Sequence, residues 1–287
     1  MKHLILPVHA AIPVSVVFFV LLLFHSCRLA AQEVYPPFSK LYAGFGVCSN
    51  RFTDAFSFSA NQASLARTVQ TSGGLFSEKP WMIGNLSQYS AVLAAPLKNA
   101  GMGVVADYAG DGQYLQWQAG LAYGRKLTER VDIGVQFNYQ RAGINGYGHT
   151  GCLNAELGML IHLAPDLQAG VHIANPGFGR KKSSLPQPAC VYASCIGYEV
   201  SSQLFLTASL AKEEGYPARL MGGIQYNVKE QVFIRAGLLS GQRLLLATGL
   251  SRKNIRIDLT ALIHPRLGVT PGLQLSFRQL KPASSTH

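Results

Sequence analysis

The spacing of extended segments in this chain has a stutter that narrows the choice of fold sharply. From residue 68 to residue 280 the sequence reads as fourteen short β-segments whose connections alternate between very short and longer. The short connections fall at residues 98–100, 128–130, 164–166, 201–203, 229–230 and 252–254. Longer ones fall between them, at 79–85, 110–113, 144–149, 177–188, 213–216, 240–243 and 265–270. Outer-membrane barrels have an even strand number, short periplasmic turns and longer extracellular loops. If the first strand rises from the periplasm, every short connection lands on the periplasmic side. The spacing therefore predicts an all-β fold, a fourteen-stranded antiparallel transmembrane β-barrel.

Charge points the same way. Only 14% of residues are charged and 48% are hydrophobic, whereas a soluble domain carries roughly a quarter charged. Beyond the N-terminal segment no apolar run approaches the roughly 20 residues of a spanning helix. A chain of this kind can still cross a membrane as a closed barrel, because lipid offers no partners to a free sheet edge.

The segments alternate as such a wall requires. Val131, Ile133, Val135, Phe137 and Tyr139 share one face, opposite Asp132, Gly134, Gln136, Asn138 and Gln140. Ile255, Ile257, Leu259, Ala261 and Ile263 oppose Arg256, Asp258, Thr260 and His264, with Leu262 as the exception on the polar face. A soluble sandwich alternates too. The number of segments, the uneven connections and an export signal together favour the barrel. Glycines on the inner face (Gly134, Gly158, Gly170, Gly237) would let a plug approach the wall closely. Tyr108, Tyr123, Tyr139, Tyr226 and Phe277 suit the aromatic girdles at the two membrane interfaces. The last strand closes on Phe277, the kind of terminus that barrel-assembly machinery reads, although ten residues follow where barrels usually stop.

Residues 1–31 read as a secretory signal, with Lys2 and His3 ahead of an apolar core at 14–24 and Leu29, Ala30 and Ala31 before the cut. A rival reading makes Cys27 a lipidated N-terminus. Residues 32–67 form an irregular plug segment with a short helix, 68–280 the barrel and 281–287 a tail. Cys48, Cys152, Cys190 and Cys195 remain after processing and permit two disulfides. Cys190 and Cys195 fall on opposite faces of one strand and suit each other poorly; a rim disulfide between Cys152 and Cys190 is one option. No Cys/His cluster has zinc spacing.

The net charge of +11 falls to +9 without Lys2 and Arg28. The basic residues are dispersed, with no basic helix or stacking motif, so the excess suits lipid head groups and a watery lumen better than nucleic acid. Neither a Gly-x-Ser-x-Gly element nor a phosphate loop is present. His149, His162, His172 and His264 are the candidate bases for a dispersed hydrolase, each needing a serine within hydrogen-bond reach. Their plainer role is as polar rim or lumen residues. Arg256 and Asp258 share a strand face, and Arg235 and Arg278 should also point inward. They either brace plug to wall or focus positive potential on an anionic head group. Residues 179–184, with Arg180, Lys181 and Lys182, offer charge to lipopolysaccharide or an acidic partner.

The run Asp54-Ala55-Phe56-Ser57 followed by Asn61-Gln62-Ala63-Ser64-Leu65-Ala66 resembles the plug element of the PorV/PorQ-type outer-membrane proteins of Bacteroidetes, relatives of the FadL fold. Segments 119–127, 134–139, 172–176 and 226–237 are similar to the same group in order and spacing. The resemblance implies a fourteen-stranded barrel whose plug uses Asp54, Asn61, Leu65 and Ala66. It implies a non-enzymatic role, anchoring surface or secreted proteins in a type IX-like secretion system, without cofactor or nucleic acid. The alternative it carries is FadL-like passive transport of hydrophobic small molecules through the lumen and a lateral wall opening. Expected partners are outer-membrane lipids, lipopolysaccharide, the barrel-assembly machinery and a surface or secretion protein. The sequence departs from the group at Gln62 and Ser64, where proline and glycine are expected.

Overall fold

Residues that alternate in polarity pair edge to edge until the sheet closes on itself, and the computed structural model shows that closure. It describes residues 38–84, 86–110, 113–176, 189–229 and 231–279. The signal segment with Cys27, the first plug residues, the 179–184 basic run and the 281–287 tail lie outside the described residues. The strands are β1 Ser72–Glu78, β2 Ser87–Leu97, β3 Ala100–Gly110, β4 Tyr114–Lys126, β5 Val131–Ile144, β6 Gly148–Ala164 and β7 Leu167–Ala174. The second half comprises β8 Val191–Glu199, β9 Leu204–Glu213, β10 Arg219–Lys229, β11 Val232–Leu239, β12 Arg243–Arg252, β13 Ile255–His264 and β14 Gly268–Arg278. Neighbours are antiparallel, and β1 closes the circle by pairing with both β2 and β14. Leu75 lies opposite Ala91 on one side and Leu275 on the other.

Large apolar side chains cover the outside. Phe137 is 64% exposed and Leu259 60%, values a soluble protein would find hard to tolerate along every strand. Facing lipid, they cost nothing and hold the barrel in place. Tyr89 and Tyr108 pair near the long-loop end and Trp117 packs on Tyr139, while Tyr123, Tyr226 and Phe277 lie towards the other end. At the β1–β14 seam the Phe277 ring lies across Gly73, where a Cβ would come within 2.6 Å of it.

The connections differ from the expected pattern in degree. At one end they hold two to four residues, at the other three to sixteen, and most of the asymmetry comes from residues 79–86 and 175–190. The first strand also begins at Ser72 rather than at Thr68, whose N–H instead caps the preceding turn on the Leu65 carbonyl at 3.1 Å.

Before the barrel come helix α1 (Phe38–Gly44), the single turn α2 (Ser57–Ala60) and a 3₁₀ turn (Gln62–Arg67). These fill the barrel at its short-turn end. Tyr42, Phe45, Phe52, Phe56, Phe58 and Leu65 pack with wall residues such as Phe76, Phe205 and Leu245 into one buried cluster. Leu262, the break in the polar face of β13, is 2% exposed and belongs to that cluster. Its apolar side chain faces plug, not water. Each large side chain so buried is worth roughly 1.5–3 kcal/mol, so the plug is the molecule's internal core.

Candidate functional site: the plugged lumen

The wall supplies most of the carboxylates, and both plug and wall supply donors to them. Asp258 accepts Arg256 in two-pronged fashion, Nε to Oδ1 at 2.8 Å and Nη2 to Oδ2 at 2.6 Å, while the Tyr42 hydroxyl donates to Oδ2 at 3.0 Å. Burial raises the Tyr42 phenol well above its usual range, so it remains a donor. Asp132 receives Arg67 Nε and lies against His162 Nε2, both at 2.6 Å. Glu199 accepts the Ser49 hydroxyl at 2.7 Å and the Asn50 N–H at 2.8 Å, with Arg51 Nε at 3.1 Å. Glu156 accepts Gln62 Nε2 and Asn138 Nδ2 at 2.9 Å and faces His172 Nε2 at 3.0 Å.

Arg235 is the largest fully buried side chain. Its Nε and Nη2 donate to Gln225 Oε1 at 3.1 and 2.7 Å, and Nη1 donates to the Tyr42 carbonyl at 3.3 Å. The guanidinium also stacks over Tyr42 and Phe45, at 4.4 and 4.6 Å from the ring centres. A charge taken this far from water survives only with such partners. Thus Arg235, Arg256 and Asp258 brace plug to wall. Arg278 lies apart, exposed at the short-turn rim, with its backbone N–H on the Asn254 carbonyl at 2.8 Å.

The local chemistry of the plug motif follows from its hydrogen bonds. Asp54 Oδ1 accepts the Phe56 N–H at 2.8 Å, and the Ser57 hydroxyl accepts the Asp54 N–H at 2.9 Å, so the two side chains fold the entry to α2. Asp54 Oδ2 also accepts Gln274 Nε2 at 3.3 Å and lies 3.5 Å from Arg256. Asn61 Oδ1 accepts the Ala63 N–H at 3.1 Å, and its Nδ2 reaches the Met159 and Val171 carbonyls at 3.2 and 3.0 Å. Leu65 and Ala66 are buried against the wall. A Cβ on Gly134 would overlap the Gln62 carbonyl, and one on Gly158 would overlap Asn61 Oδ1. Gln62, where the resembling group has proline, is wholly buried, and its side-chain amide donates the hydrogen bond to Glu156 that a proline cannot make.

Cys48 of the plug is disulfide-bonded to Cys195 of β8, across 147 residues of chain. Cys152 and Cys190 are thiols, so the rim disulfide considered from sequence is not formed. Of the candidate bases, His162 and His172 face carboxylates and His264 Nδ1 accepts the N–H groups of Arg266 and Leu267 at 3.1 Å.

Above the plug, in the long-loop half, lies a cavity of about 470 Å³ floored by Leu41, Val47 and Ala60. Two smaller cavities, of about 190 and 320 Å³, lie on the plug's other side and share Arg51, Asp54 and Arg278. Val47 lines both the large cavity and the 190 Å³ one.

No family model and no curated protein matches this chain. Solved structures do. The CymD monoaromatic hydrocarbon channel superposes with a TM-score of 0.62 at 11% identity, over 83% of this chain and 96% of that one. The fold is FadL-like. The Pseudomonas putida toluene transporter TodX gives 0.57 at 10% identity, covering 87% and 98% of the two chains. A Pseudomonas aeruginosa FadL homologue gives 0.55 at 11%, covering 82% and 96%. Closure, apolar exterior and these likenesses together place the chain in a bacterial outer membrane.

Proposed function

We propose that this barrel is a passive outer-membrane channel for small, mostly apolar molecules, which enter the outer cavity and pass the plug beside Val47. The observation that carries the reading is the 470 Å³ cavity seated directly on the plug, large enough for a compact aromatic molecule. The structural neighbours named as a hydrocarbon channel and a toluene transporter support it. Membership of the PorV/PorQ group, with an anchoring role in type IX secretion, rests on motif order alone and yields to passage. We read the chain as non-enzymatic, with His162 and His172 serving the plug braces through Asp132 and Glu156.

The test is uptake by intact cells of a Gram-negative host that has no comparable channel. Cells displaying the folded barrel should take up labelled toluene or benzyl alcohol several-fold faster than cells without it. Val47→Trp and Ala193→Trp should return the rate to background. Uptake indifferent to a folded, surface-located barrel would rule the channel out.

A further inference from the structure

The side-chain amides of the outer cavity are concentrated on one side of it. Along β2–β6 it is lined by amides, from Gln88, Gln116, Gln118, Gln140 and Asn154. Along β7–β10 it carries Ala174, Val191, Ala193, Ala211 and Met221, interspersed with Ser194, Ser209, the Arg219–Glu213 pair and His172, which meets Glu156 of β6. A cavity for pure hydrocarbon has no use for the first wall, because every buried amide needs a partner. Two of these amides lack one: Gln88 Oε1 and Gln118 Nε2 are buried with no hydrogen bond. One is an acceptor and the other a donor, and both belong to side chains that line the cavity.

Charge narrows the ligand further. Asp107, Glu156 and Glu213 reach this cavity. Among its described lining residues the cationic groups are already committed, Arg219 to Glu213 at 3.8 Å and His172 to Glu156 at 3.0 Å. Asp107 accepts the Ser90 hydroxyl at 2.5 Å. An entering carboxylate would leave water and meet like charge, without an uncommitted cation to compensate it. Arg235 and Arg256, which the sequence offers as an attraction for an anionic head group, are bonded to Gln225 and the Tyr42 carbonyl and to Asp258.

We propose that the outer cavity selects neutral molecules with one apolar face and a hydroxyl or amide on the other, and discriminates against free carboxylates. This rests on the channel reading and adds the ligand's chemistry to it. The apolar face would lie on β7–β10 while the polar group completes Gln88 and Gln118.

The probes are toluene, benzyl alcohol and benzoate, titrated calorimetrically into the full barrel at neutral pH and followed in the uptake assay. Benzyl alcohol should bind at least about tenfold tighter than benzoate, the size of one well-made discrimination. The double variant Gln88→Leu, Gln118→Leu should lose about tenfold for benzyl alcohol, two ordinary hydrogen bonds, and should not lose affinity for toluene. Asp107→Asn should narrow the gap to benzoate. Benzoate binding as tightly as benzyl alcohol, or a double variant that keeps full affinity for the alcohol, would overturn the inference while toluene uptake left the channel intact. If none of the three binds or enters, the channel reading falls and takes the inference with it.

Discussion

The two halves of the lumen are built on opposite principles. Towards the short turns, the plug meets the wall through buried carboxylates, an enclosed guanidinium, aromatic packing and a disulfide, with charged groups set against one another even though Gln62 Oε1 and Asp132 Oδ1 stay without a partner. Towards the long loops, the same barrel carries amides around the 470 Å³ cavity, two of them with an unpaired atom. Both halves are built from inner-facing residues of one barrel wall. The difference lies in what faces them: a folded segment of the chain below, and space for a guest above. A wall that is to hold a segment for the life of the protein can use charge, because its partners are permanent. One that is to release what it binds is better served by neutral hydrogen bonds.

Substitutions can break this contrast. The largest effect is expected at Asp258→Ala, which leaves part-buried Arg256 with Asp54 alone, 3.5 Å away, and removes the Tyr42 acceptor, costing about 3–5 kcal/mol. Urea unfolding in micelles should show it, and adding Arg256→Leu should restore over half, because the loss is mostly that of an under-compensated charge. Cys48→Ser comes next. Releasing the plug from β8 should cost about 2–4 kcal/mol and speed uptake past Val47; an unchanged midpoint and rate would show the link to be idle. Gln62→Pro, which installs the residue of the resembling group, should cost about 1–3 kcal/mol by taking a donor from buried Glu156. Thermal unfolding that does not move would remove Gln62 from the bracing set. Gln140→Leu, on the guest-facing wall, should stay within about 0.5 kcal/mol of the parent in stability while shifting uptake from benzyl alcohol towards toluene.

The barrel itself was legible in the sequence because lipid and lumen impose a period of two on every strand, and Val131–Tyr139 or Ile255–Ile263 show that period without help from tertiary contacts. The two-sided connection pattern was legible in direction, though the loops at 111–113, 145–147, 240–242 and 265–267 proved nearly as short as the turns opposite them. The plug braces were harder to see. Asp132, Glu156 and Glu199 look like any polar residue of an alternating strand, and only their being acidic at inward positions gave a signal. The Cys48–Cys195 link joins a segment with no periodicity to a strand far along the chain, so spacing could not reveal it. Gln62 read as a defect in a motif and is instead a hydrogen-bonding residue, since the motif carries no record of what its wall offers. Leu262 likewise read as an error in alternation until the plug was in place.

The most direct measurement is a crystal structure of the barrel soaked with an iodinated benzyl alcohol, located by the anomalous signal of iodine. The account predicts a single lumen peak above the plug, between the Gln88–Gln118 wall and Ala193, with the hydroxyl towards the amides. Iodine found only on the lipid-facing surface, or only in the cavities on the short-turn side of the plug, would contradict it.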